Sequence, residues 1–558
     1  MSGFQTILAE SRIAAMTARG LWGNRLVSDL LDEAATATPQ ATAVVDHNSM
    51  TGVSTRLSFA ELQALSHRVA AGLLALGVAP GDVVAVQLPN WWHYAALYTA
   101  CVRIGAVVNP LMPIFREHEL EYMLGFAETK VLVVPREFRG HDYPAMAAGL
   151  RPLLPALQHV ITVGGTDPAT AFETCLAAHP PLPAATAREV YAARRPSPND
   201  VTEIIYTSGT TGKPKGVMHS ANTLLCKAQL ASELFGFGER DVILMGSPLA
   251  HQTGFMYAMI LSLYQRSKCV LQDVWDPAVA ARLIEEERCT ITLGATPFLS
   301  DLVQDERAQR HDTSSLRLFL CSGAPIPRVL VAQAQASHPN LYVMSAWGMT
   351  EMGITTATYP GDPGEKTLDT DGRALPHQEV RVVDDAGRAL PPGVEGRLQA
   401  RCATTFLGYL KRPDAYCVDA EGWIETGDNA RMDADGYIRI TGRSKDIIIR
   451  GGENVPVVEI EEMLYRHPAI LDCAVVAMPD ERLGERGCAF VTLREGAALD
   501  FNGMCEFLTE RKLARNYHPE RLEVIAAFPR TPSGKIQKFR LREMARDFTP
   551  MRAQAARA

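Results

Sequence analysis

The chain has 558 residues, of which 47% are hydrophobic and 21% charged, and its formal net charge is −8. This length exceeds what one hydrophobic core supports, and the acidic balance argues against a general nucleic-acid binder, which would carry a basic stripe. The eleven cysteines contain no Cys-x-x-Cys pair, which argues against a disulfide framework or a zinc ribbon and predicts a reducing, cytoplasmic location.

The N-terminal segment 1–22 has no uninterrupted apolar stretch, so no secretory signal is predicted. No run of about eighteen uncharged apolar residues occurs in the sequence, and no membrane span is expected. A capping box, Ser58 to Glu61, begins a predicted helix that closes at Gly77. Apolar runs at 83–88 and 106–108 predict buried strands on either side of another helix. This alternation is typical of an α/β fold with a mostly parallel sheet.

The same alternation returns in the middle of the chain. We predict helices at 222–235 and 277–287 and strands at 242–245 and 316–321. In such sheets ligands bind beyond the carboxyl ends of the strands. Three polar loops are therefore expected to converge there, and they are the loops at 207–216, at 322–325 and after 341–346.

Further along, the pattern changes. Short alternating strands at 377–401 predict a small β-barrel that closes the first domain. After a composition break at 442–446, helices at 457–466 and 501–513 and strands at 473–477 and 488–493 predict a compact α/β module. We therefore expect an N-terminal domain of residues 1–442 with two mostly parallel α/β sheets, a hinge at 443–445 and a C-terminal lid domain at 446–558. The Ala/Pro-rich stretch 180–193 is expected to be a surface connection.

The loop at 206–216 has the composition of a phosphate-binding loop. Its glycines allow close backbone approach, and its hydroxyls and ammonium groups offer hydrogen bonds and positive charge to an anion. Pro214 follows the first lysine and excludes the helix start that a P-loop NTPase needs. The residues that we expect to contact phosphate are Thr207, Ser208, Gly209, Thr210, Thr211, Gly212, Lys213 and Lys215.

Together with four other motifs, this loop resembles the adenylate-forming (ANL) superfamily, which includes acyl-CoA synthetases, luciferases and peptide-synthetase adenylation domains. The five motifs occur in family order over more than three hundred residues. They are the segments 206–216, 347–351, 426–428, 442–446 and 529–535. Taken singly, Thr350–Glu351 could cap a helix, Asp428 could lie in a turn, and Lys535 could be solvated surface.

The resemblance implies roles around ATP. Glu351 would ligate Mg²⁺, Thr350 would bond the α-phosphate, Asp428 would bind the ribose hydroxyls, and Arg443 would approach ribose or phosphate. The adenine loop would be Ser322, Gly323, Ala324 and Pro325. Trp347 and Gly348 would border both the nucleotide and the acyl pocket. The ring of Trp347 would pack on adenine and narrow the acyl channel.

The resemblance also implies a moving C-terminal domain. Lys535 would bridge the attacking carboxylate and the α-phosphate, and Lys445 would be the hinge about which the domain turns between half-reactions. The loop of Gly451, Gly452 and Glu453 would line the pantetheine tunnel of coenzyme A. His251, which is also a candidate catalytic residue, would line the acyl pocket together with Phe255, although a lone histidine is as often structural.

Within the superfamily, the segment 248–258 lacks the acidic residue that would hold an amino acid's ammonium group. The stretches 251–255, 293–297, 450–455 and 480–485 most resemble bacterial short- and medium-chain acyl-CoA synthetases and cyclohexanecarboxylate–CoA ligases. We therefore predict an AMP-forming carboxylate–CoA ligase that uses ATP, Mg²⁺ and coenzyme A, as a monomer or homodimer. Two alternatives stay open, an enzyme that loads a carrier protein and a non-catalytic binding module with a degenerate site.

Overall fold

The structure is a computed structural model that describes residues 4–207, 213–323, 326–419, 421–443, 448–450, 453–531 and 534–551. Its strands up to the phosphate loop and just after it are β1 Thr42–Asn48, β2 Val53–Ser58, β3 Val83–Val86, β4 Val107–Pro110, β5 Thr129–Pro135, β6 Glu137–Phe138, β7 His141–Asp142, β8 His159–Val163, β9 Val201–Thr207 and β10 Lys215–Ser220. The strands that follow are β11 Val242–Met245, β12 Lys268–Gln272, β13 Ile291–Gly294, β14 Leu318–Ser322, β15 Tyr342–Met349, β16 Gly353–Ala357, β17 Arg373–Ala374, β18 Gln378–Val383, β19 Gly396–Cys402, β20 Ile424–Met432, β21 Ile438–Arg443, β22 Ile448–Arg450, β23 Glu453–Val455, β24 Ile470–Asp480, β25 Gly484–Leu493 and β26 Arg521–Val524.

Helices alternate with these strands through most of the chain. The α-helices are α1 Glu10–Ala18, α2 Val27–Ala37, α3 Phe59–Ala75, α4 His93–Ile104, α5 Glu117–Phe126, α6 Tyr143–Leu150, α7 Ala184–Arg194, α8 Ala221–Phe235, α9 Gln252–Gly254, α10 Leu261–Gln265, α11 Pro277–Glu287, α12 Thr296–Gln304, α13 Arg328–Ser337, α14 Gly364–Asp369, α15 Val457–Tyr465, α16 Phe501–Glu510 and α17 Lys538–Ala545. Short π-helical segments span Glu173–Ala177 and Phe255–Ile260.

Two large sheets, mostly parallel, form the N-terminal lobe, which we define as residues 4–443. One sheet has the strand order β10-β9-β4-β3-β5-β8, and the other has the order β17-β16-β15-β14-β13-β11-β12-β1-β2. Within the described residues, the antiparallel strands of these two sheets lie at or next to their edges, with β10 on the first sheet and β2, β16 and β17 on the second. The predicted α/β fold with two such sheets is confirmed.

Local signals place several helices where the sequence predicts them. The Ser58 hydroxyl accepts a hydrogen bond from the Glu61 N–H at 3.3 Å, and the Glu61 carboxylate accepts one from the Ser58 N–H at 2.8 Å, so the capping box begins α3. Asp276 caps α11, whose first residue is Pro277. Gly236 ends α8 in the left-handed conformation.

Two predictions need correction. The stretch 180–193 is not only a connection, because α7 begins at Ala184 and continues to Arg194; alanine has the highest helix propensity, and Pro183 ends the irregular part. In place of a small β-barrel, the strands form a four-stranded antiparallel sheet in the order β18-β19-β20-β21.

The C-terminal lobe, defined as residues 448–551, has its own sheet and core. Its strand order is β23-β22-β25-β24, and β26 pairs with β25 in parallel. Apolar side chains of α15, α16 and this sheet pack together, and α17 covers a second cluster that includes Phe490 and Leu541. The domain and hinge boundaries at 442–446 stay predictions. Within the described residues, none of the helices is both long and apolar enough to span a membrane.

Candidate functional site

A cleft of about 3200 Å³ runs between the two lobes and gathers most of those predicted site residues that the structure describes. Its walls come from the ends of β9 and β15, from β20 and from the turn before α17. The predicted residues that line it are Thr207, Lys213, Lys215, His251, Gly323, Trp347, Gly348, Thr350, Glu351, Asp428 and Lys535. The structure thus brings together residues that are more than three hundred positions apart in the chain.

The ends of the phosphate loop are held by the β9–β10 hairpin. Thr207 and Lys215 are direct cross-strand partners. The Lys213 ammonium lies 5.0 Å from the ring centroid of Tyr122, and the Lys215 ammonium lies 4.7 Å from that of Tyr409. Aromatic faces attract cations, so the two rings keep both ammonium groups beside the loop.

Glu351 follows β15 in a turn that leads directly into β16, so the helix-cap alternative for Thr350–Glu351 is not what the structure shows. Glu351 is 7% exposed, and the hydroxyl of Tyr409 donates a hydrogen bond to its Oε1 at 2.7 Å. Tyr409 belongs to a segment whose Leu410 N–H donates to the Gly216 carbonyl at 2.8 Å. This segment therefore ties Glu351 to the β9–β10 hairpin, a contact that no sequence motif indicated.

A buried polar cluster contacts the turn that carries Thr350 and Glu351. Nε2 of His219 lies 2.9 Å from the Thr350 carbonyl oxygen, and the Lys227 ammonium lies 3.0 Å from that nitrogen. Burial lowers the pKa of Lys227 to about 7, opposed by the charges of Glu203 and Glu351. Burial raises the pKa of Glu203 to about 8, opposed by Lys227. Charged residues inside an apolar strand and an apolar helix were the signal for this cluster.

Asp428 lies on β20 with 8% of its surface exposed, and its Oδ2 accepts a hydrogen bond from the indole Nε1 of Trp347 at 2.9 Å. The Asp428 N–H donates to the Thr426 hydroxyl at 3.1 Å. Trp347 therefore orients the carboxylate predicted to bind ribose, a contact that sequence reasoning did not anticipate. Its predicted packing on adenine stays a prediction.

Lys535 enters the cleft from the C-terminal lobe and lies against Gly323. A Cβ atom at Gly323, whose φ is +87°, would be 2.9 Å from Cε of Lys535. We call the turn that carries Lys535 the lysine turn. It is closed by the Thr531 N–H, which donates to the Lys535 carbonyl at 2.7 Å. A Cβ atom at Gly534 would lie 3.3 Å from Phe298, so this turn rests on the start of α12.

His251 lines the cleft near Lys535. Burial and then the Lys535 charge lower the pKa of His251 to about 3, so the imidazole is neutral at physiological pH. The Thr253 N–H donates to its Nδ1 at 3.2 Å. Phe255 is fully buried and packs on Tyr98 with ring centroids 4.8 Å apart. The acyl-pocket roles of His251 and Phe255 stay predictions.

The other predicted residues lie on strands or outside the described part of the chain. Ser322 ends β14 and is partly exposed, while Arg443 and Glu453 belong to β21 and β23. The remaining predicted residues lie outside the described part of the chain, and they are Ser208, Gly209, Thr210, Thr211, Gly212, Ala324, Pro325, Lys445, Gly451 and Gly452.

The residues present fit a magnesium ion that is shared with a nucleotide. Within the described residues, no group of three or more His, Cys, Asp or Glu side chains forms a complete metal site. Mg²⁺ usually takes one or two protein carboxylates together with substrate phosphates and water. Glu351, oriented by Tyr409 and next to the β9–β10 hairpin, would supply one such carboxylate.

Comparison with known proteins then decides the family. The AMP-binding enzyme family matches residues 31–410, and the AMP-binding enzyme C-terminal domain matches residues 459–535. The chain belongs to the adenylate-forming superfamily. It is 38% identical to a medium-chain fatty-acid–CoA ligase of Escherichia coli K12 over 96% of this chain and 93% of that protein. It is also 32% identical to a 2,3-dihydroxybenzoate-AMP ligase of Bacillus subtilis 168 over 94% of each.

Solved structures of the superfamily have the same two-lobed fold. ATP-bound MatB from Rhodopseudomonas palustris matches with a TM-score of 0.80 at 28% identity, covering 94% of this chain and 99% of that one. The apo form of MatB matches with a TM-score of 0.70 over the same shares of the two chains. The predicted superfamily and fold class are both confirmed.

Proposed function

We propose that the chain is an ATP-dependent, AMP-forming carboxylate–CoA ligase for a short- or medium-chain or alicyclic acid. The observation that carries this proposal is the position of Lys535, which reaches from the C-terminal lobe to Gly323 in a cleft that also holds Glu351 and Asp428. Family membership and the E. coli relative confirm the prediction of an AMP-forming acyl-CoA synthetase that uses ATP, Mg²⁺, coenzyme A and a carboxylic acid.

In the first half-reaction a carboxylate oxygen attacks the α-phosphorus of ATP, and the bond to pyrophosphate breaks. Two anions must approach each other, so positive charge and fixed donors are the main requirement. Lys535 would stabilise both the attacking carboxylate and the α-phosphate. Lys213 and Lys215 would hold the departing pyrophosphate, and Thr350 would bond the α-phosphate. The neutral His251 beside Lys535 adds no competing charge.

Mg²⁺, when bound, would neutralise charge on the phosphate oxygens. Glu351 would hold it, and the Tyr409 hydroxyl would fix the orientation of that carboxylate. Asp428 would accept hydrogen bonds from the ribose hydroxyls while Trp347 keeps its carboxylate in place. These residues would therefore set the position of the nucleotide against which the acid reacts.

In the second half-reaction the thiol of coenzyme A attacks the acyl carbonyl, loses its proton, and AMP leaves. The predicted hinge at Lys445 and the predicted tunnel loop at Gly451, Gly452 and Glu453 would serve this step. Lys535 is not needed here, since the phosphorus is no longer attacked. This difference between the half-reactions is the most specific expectation that the proposal makes.

The class of acid is supported by the similarity to the E. coli medium-chain fatty-acid–CoA ligase and by the motif resemblance. A panel of straight-chain acids from acetate to palmitate, with cyclohexanecarboxylate and benzoate, tests it through pyrophosphate release in the presence of coenzyme A. The proposal expects the highest kcat/KM for a C4–C10 or alicyclic acid. A clear preference for benzoate or for longer acids would contradict this class.

A second candidate function is transfer of the acyl group to a carrier protein. It is favoured by the similarity to the 2,3-dihydroxybenzoate-AMP ligase, whose name ends at the adenylate. Supplying the purified enzyme with either coenzyme A or a phosphopantetheinylated carrier separates the two functions. Acyl transfer to the carrier alone would reject coenzyme A as acceptor. ATP binding without AMP release from any acid would support the degenerate binding module.

A further inference from the structure

One helix of the C-terminal lobe lies across the last two strands of the N-terminal lobe, and acidic residues of the helix face arginines of the strands. Arg431 of β20 and Arg439 of β21 are direct cross-strand partners. Glu459 and Glu462 of α15 are one helical turn apart and therefore lie on the same face. Glu459 pairs with Arg431 at 3.9 Å, and Glu462 pairs with Arg439.

The two pairs differ in their surroundings. The side chains of Glu459 and Arg431 are 51% and 48% exposed, whereas the side chain of Glu462 is 19% exposed. Exposed ion pairs contribute little, because water screens them and both side chains lose freedom. Only the Glu462 contact is shielded enough to hold the lobes together strongly.

Glu462 also faces a second, more deeply buried cation. Its Oε1 lies 4.0 Å from Nε of Arg328 on α13, and the Arg328 side chain is 7% exposed. Arg328 donates to Asp371 at 3.0 Å, and Asp371 in turn accepts the Ile440 N–H at 2.8 Å. Among the described residues, Nε of Arg328 makes no hydrogen bond. The charge of Glu462 therefore compensates a guanidinium nitrogen that the N-terminal lobe leaves unsatisfied.

Glu461, the third glutamate of α15, makes its contacts within the C-terminal lobe. Glu461 pairs with Lys538 at 2.6 Å and accepts the Val475 N–H at 2.6 Å, so it fastens α15 within its own lobe. Lys538 begins α17, three residues after Lys535. A rigid path thus connects Glu462, through α15 and Glu461, to the segment that follows the lysine turn.

We propose that Glu462 is a positioning residue for the first half-reaction, because it docks the C-terminal lobe on Arg439 and Arg328 in the orientation that places Lys535 at Gly323. The proposal rests on the proposed role of Lys535. When the lobe turns away for thioester formation, this contact must break. Loss of the contact therefore weakens adenylation and spares the second half-reaction.

The test compares Glu462→Gln with Glu459→Gln, a matched control on the same helix with the same type of partner. The first half-reaction is measured without coenzyme A, as acid-dependent exchange of pyrophosphate into ATP with the best acid of the panel. The second is measured as conversion of the corresponding synthetic acyl-adenylate by coenzyme A. We expect Glu462→Gln to lower kcat of the exchange at least tenfold with KM for ATP changed less than threefold, while Glu459→Gln stays near wild type.

A double-substitution cycle adds a readout that general destabilisation would not give. Arg439→Gln should also slow the exchange, and combining it with Glu462→Gln should cost much less than the product of the two single effects. Retained acyl-adenylate conversion shows that each variant is folded. Equal loss in both half-reactions, multiplicative effects, or no loss in Glu462→Gln would overturn the proposal.

Lys535→Ala distinguishes a failure of the docking role of Glu462 from a failure of the proposed function. If Lys535→Ala loses the exchange and Glu462→Gln does not, the docking role is wrong and the proposed function stands. If Lys535→Ala keeps the exchange, the proposed role of the lysine itself is wrong, and with it the basis of the docking role.

Discussion

The indole Nε1 of Trp347 donates a hydrogen bond to Oδ2 of Asp428, and the two atoms are 2.9 Å apart. The bond joins β15 of the large sheet to β20 of the four-stranded sheet. Asp428 is nearly buried, so the direction of its carboxylate depends strongly on the donors around it. The proposed ribose contact of Asp428 would therefore couple the position of the nucleotide to the packing of Trp347, which the motif resemblance assigns only to adenine.

Trp347→Phe should raise KM for ATP about tenfold or more. The substitution keeps an aromatic ring but removes a donor to a charged group, and such hydrogen bonds contribute about 1.5–3 kcal/mol. Steady-state kinetics with varied ATP measures the effect. Trp423→Phe is the control. The Arg381 guanidinium lies 4.1 Å from the ring centroid of Trp423, so this indole packs on an arginine and not on Asp428. An unchanged KM in Trp347→Phe would show that the bond does not position the nucleotide.

Tyr409→Phe should raise the Mg²⁺ concentration needed for half-maximal rate about three- to tenfold. The substitution removes the hydroxyl that fixes the Glu351 carboxylate, and loss of a partner that orients a metal ligand typically costs 10–100-fold in affinity or activity. We expect an effect at or below the low end of this range, because substrate phosphates would also hold the metal. Magnesium titrations at saturating ATP measure it. Tyr416→Phe serves as the control, since Tyr416 packs on the same Phe406 ring. Equal shifts in both variants would argue against a specific role of the hydroxyl.

Gly323→Ala should slow adenylation at least tenfold while conversion of a synthetic acyl-adenylate by coenzyme A persists. The added Cβ would lie 2.9 Å from Cε of Lys535, and the positive φ costs roughly 1–2 kcal/mol for an L-residue. Gly387→Ala is the matched control, because Gly387 has a φ of +79° with nothing within 4 Å of its Cβ. It carries the same backbone cost without the clash. Equal effects of the two substitutions on adenylation would mean that Lys535 does not need this space.

His93→Phe should weaken the dependence of stability on acid pH. Burial lowers the pKa of His93 to about 3, and among the described residues its Nδ1 has no hydrogen-bond partner. The unfolded imidazole binds a proton below about pH 6.5 and the folded one does not, so stability is fully present above that pH and falls as the pH drops toward 3. The loss is roughly 2 kcal/mol at pH 5.

Urea unfolding at pH 8 and pH 5 measures this contribution. Between pH 8 and pH 5 the free energy of unfolding should fall more in the wild type than in His93→Phe. The two decreases should differ by roughly 2 kcal/mol. At pH 8 the imidazole is neutral in both states, so that measurement is the control for packing changes. The same pH dependence in both proteins would exclude His93 as a source.

The sequence predicted the architecture well where local signals and tertiary packing agree. Capping at Ser58, the proline start at Pro277 and the buried run at 242–245 all gave elements with nearly the observed bounds. Helix α7 was missed because prolines before Ala184 outweighed the alanines that follow. The motif residues Glu351, Asp428 and Lys535 were found because each lies in a short family pattern.

The contacts that orient those residues were not predictable from the sequence. Tyr409 reaches Glu351 across 58 positions, and Trp347 reaches Asp428 across 81. The residues next to Tyr409 and Trp347 in the sequence do not indicate which distant carboxylate each side chain contacts. The requirement for glycine at position 323 likewise depends on Lys535, which arrives from the other lobe.

The central claim is that Lys535 acts in adenylation and is dispensable for thioester formation. Its most direct test is to measure, for Lys535→Ala, both acid-dependent pyrophosphate exchange and the conversion of a synthetic acyl-adenylate by coenzyme A. We expect loss of exchange by a factor of about a hundred or more, with conversion within a few-fold of wild type. Parallel loss of both half-reactions, or exchange that persists, would contradict it.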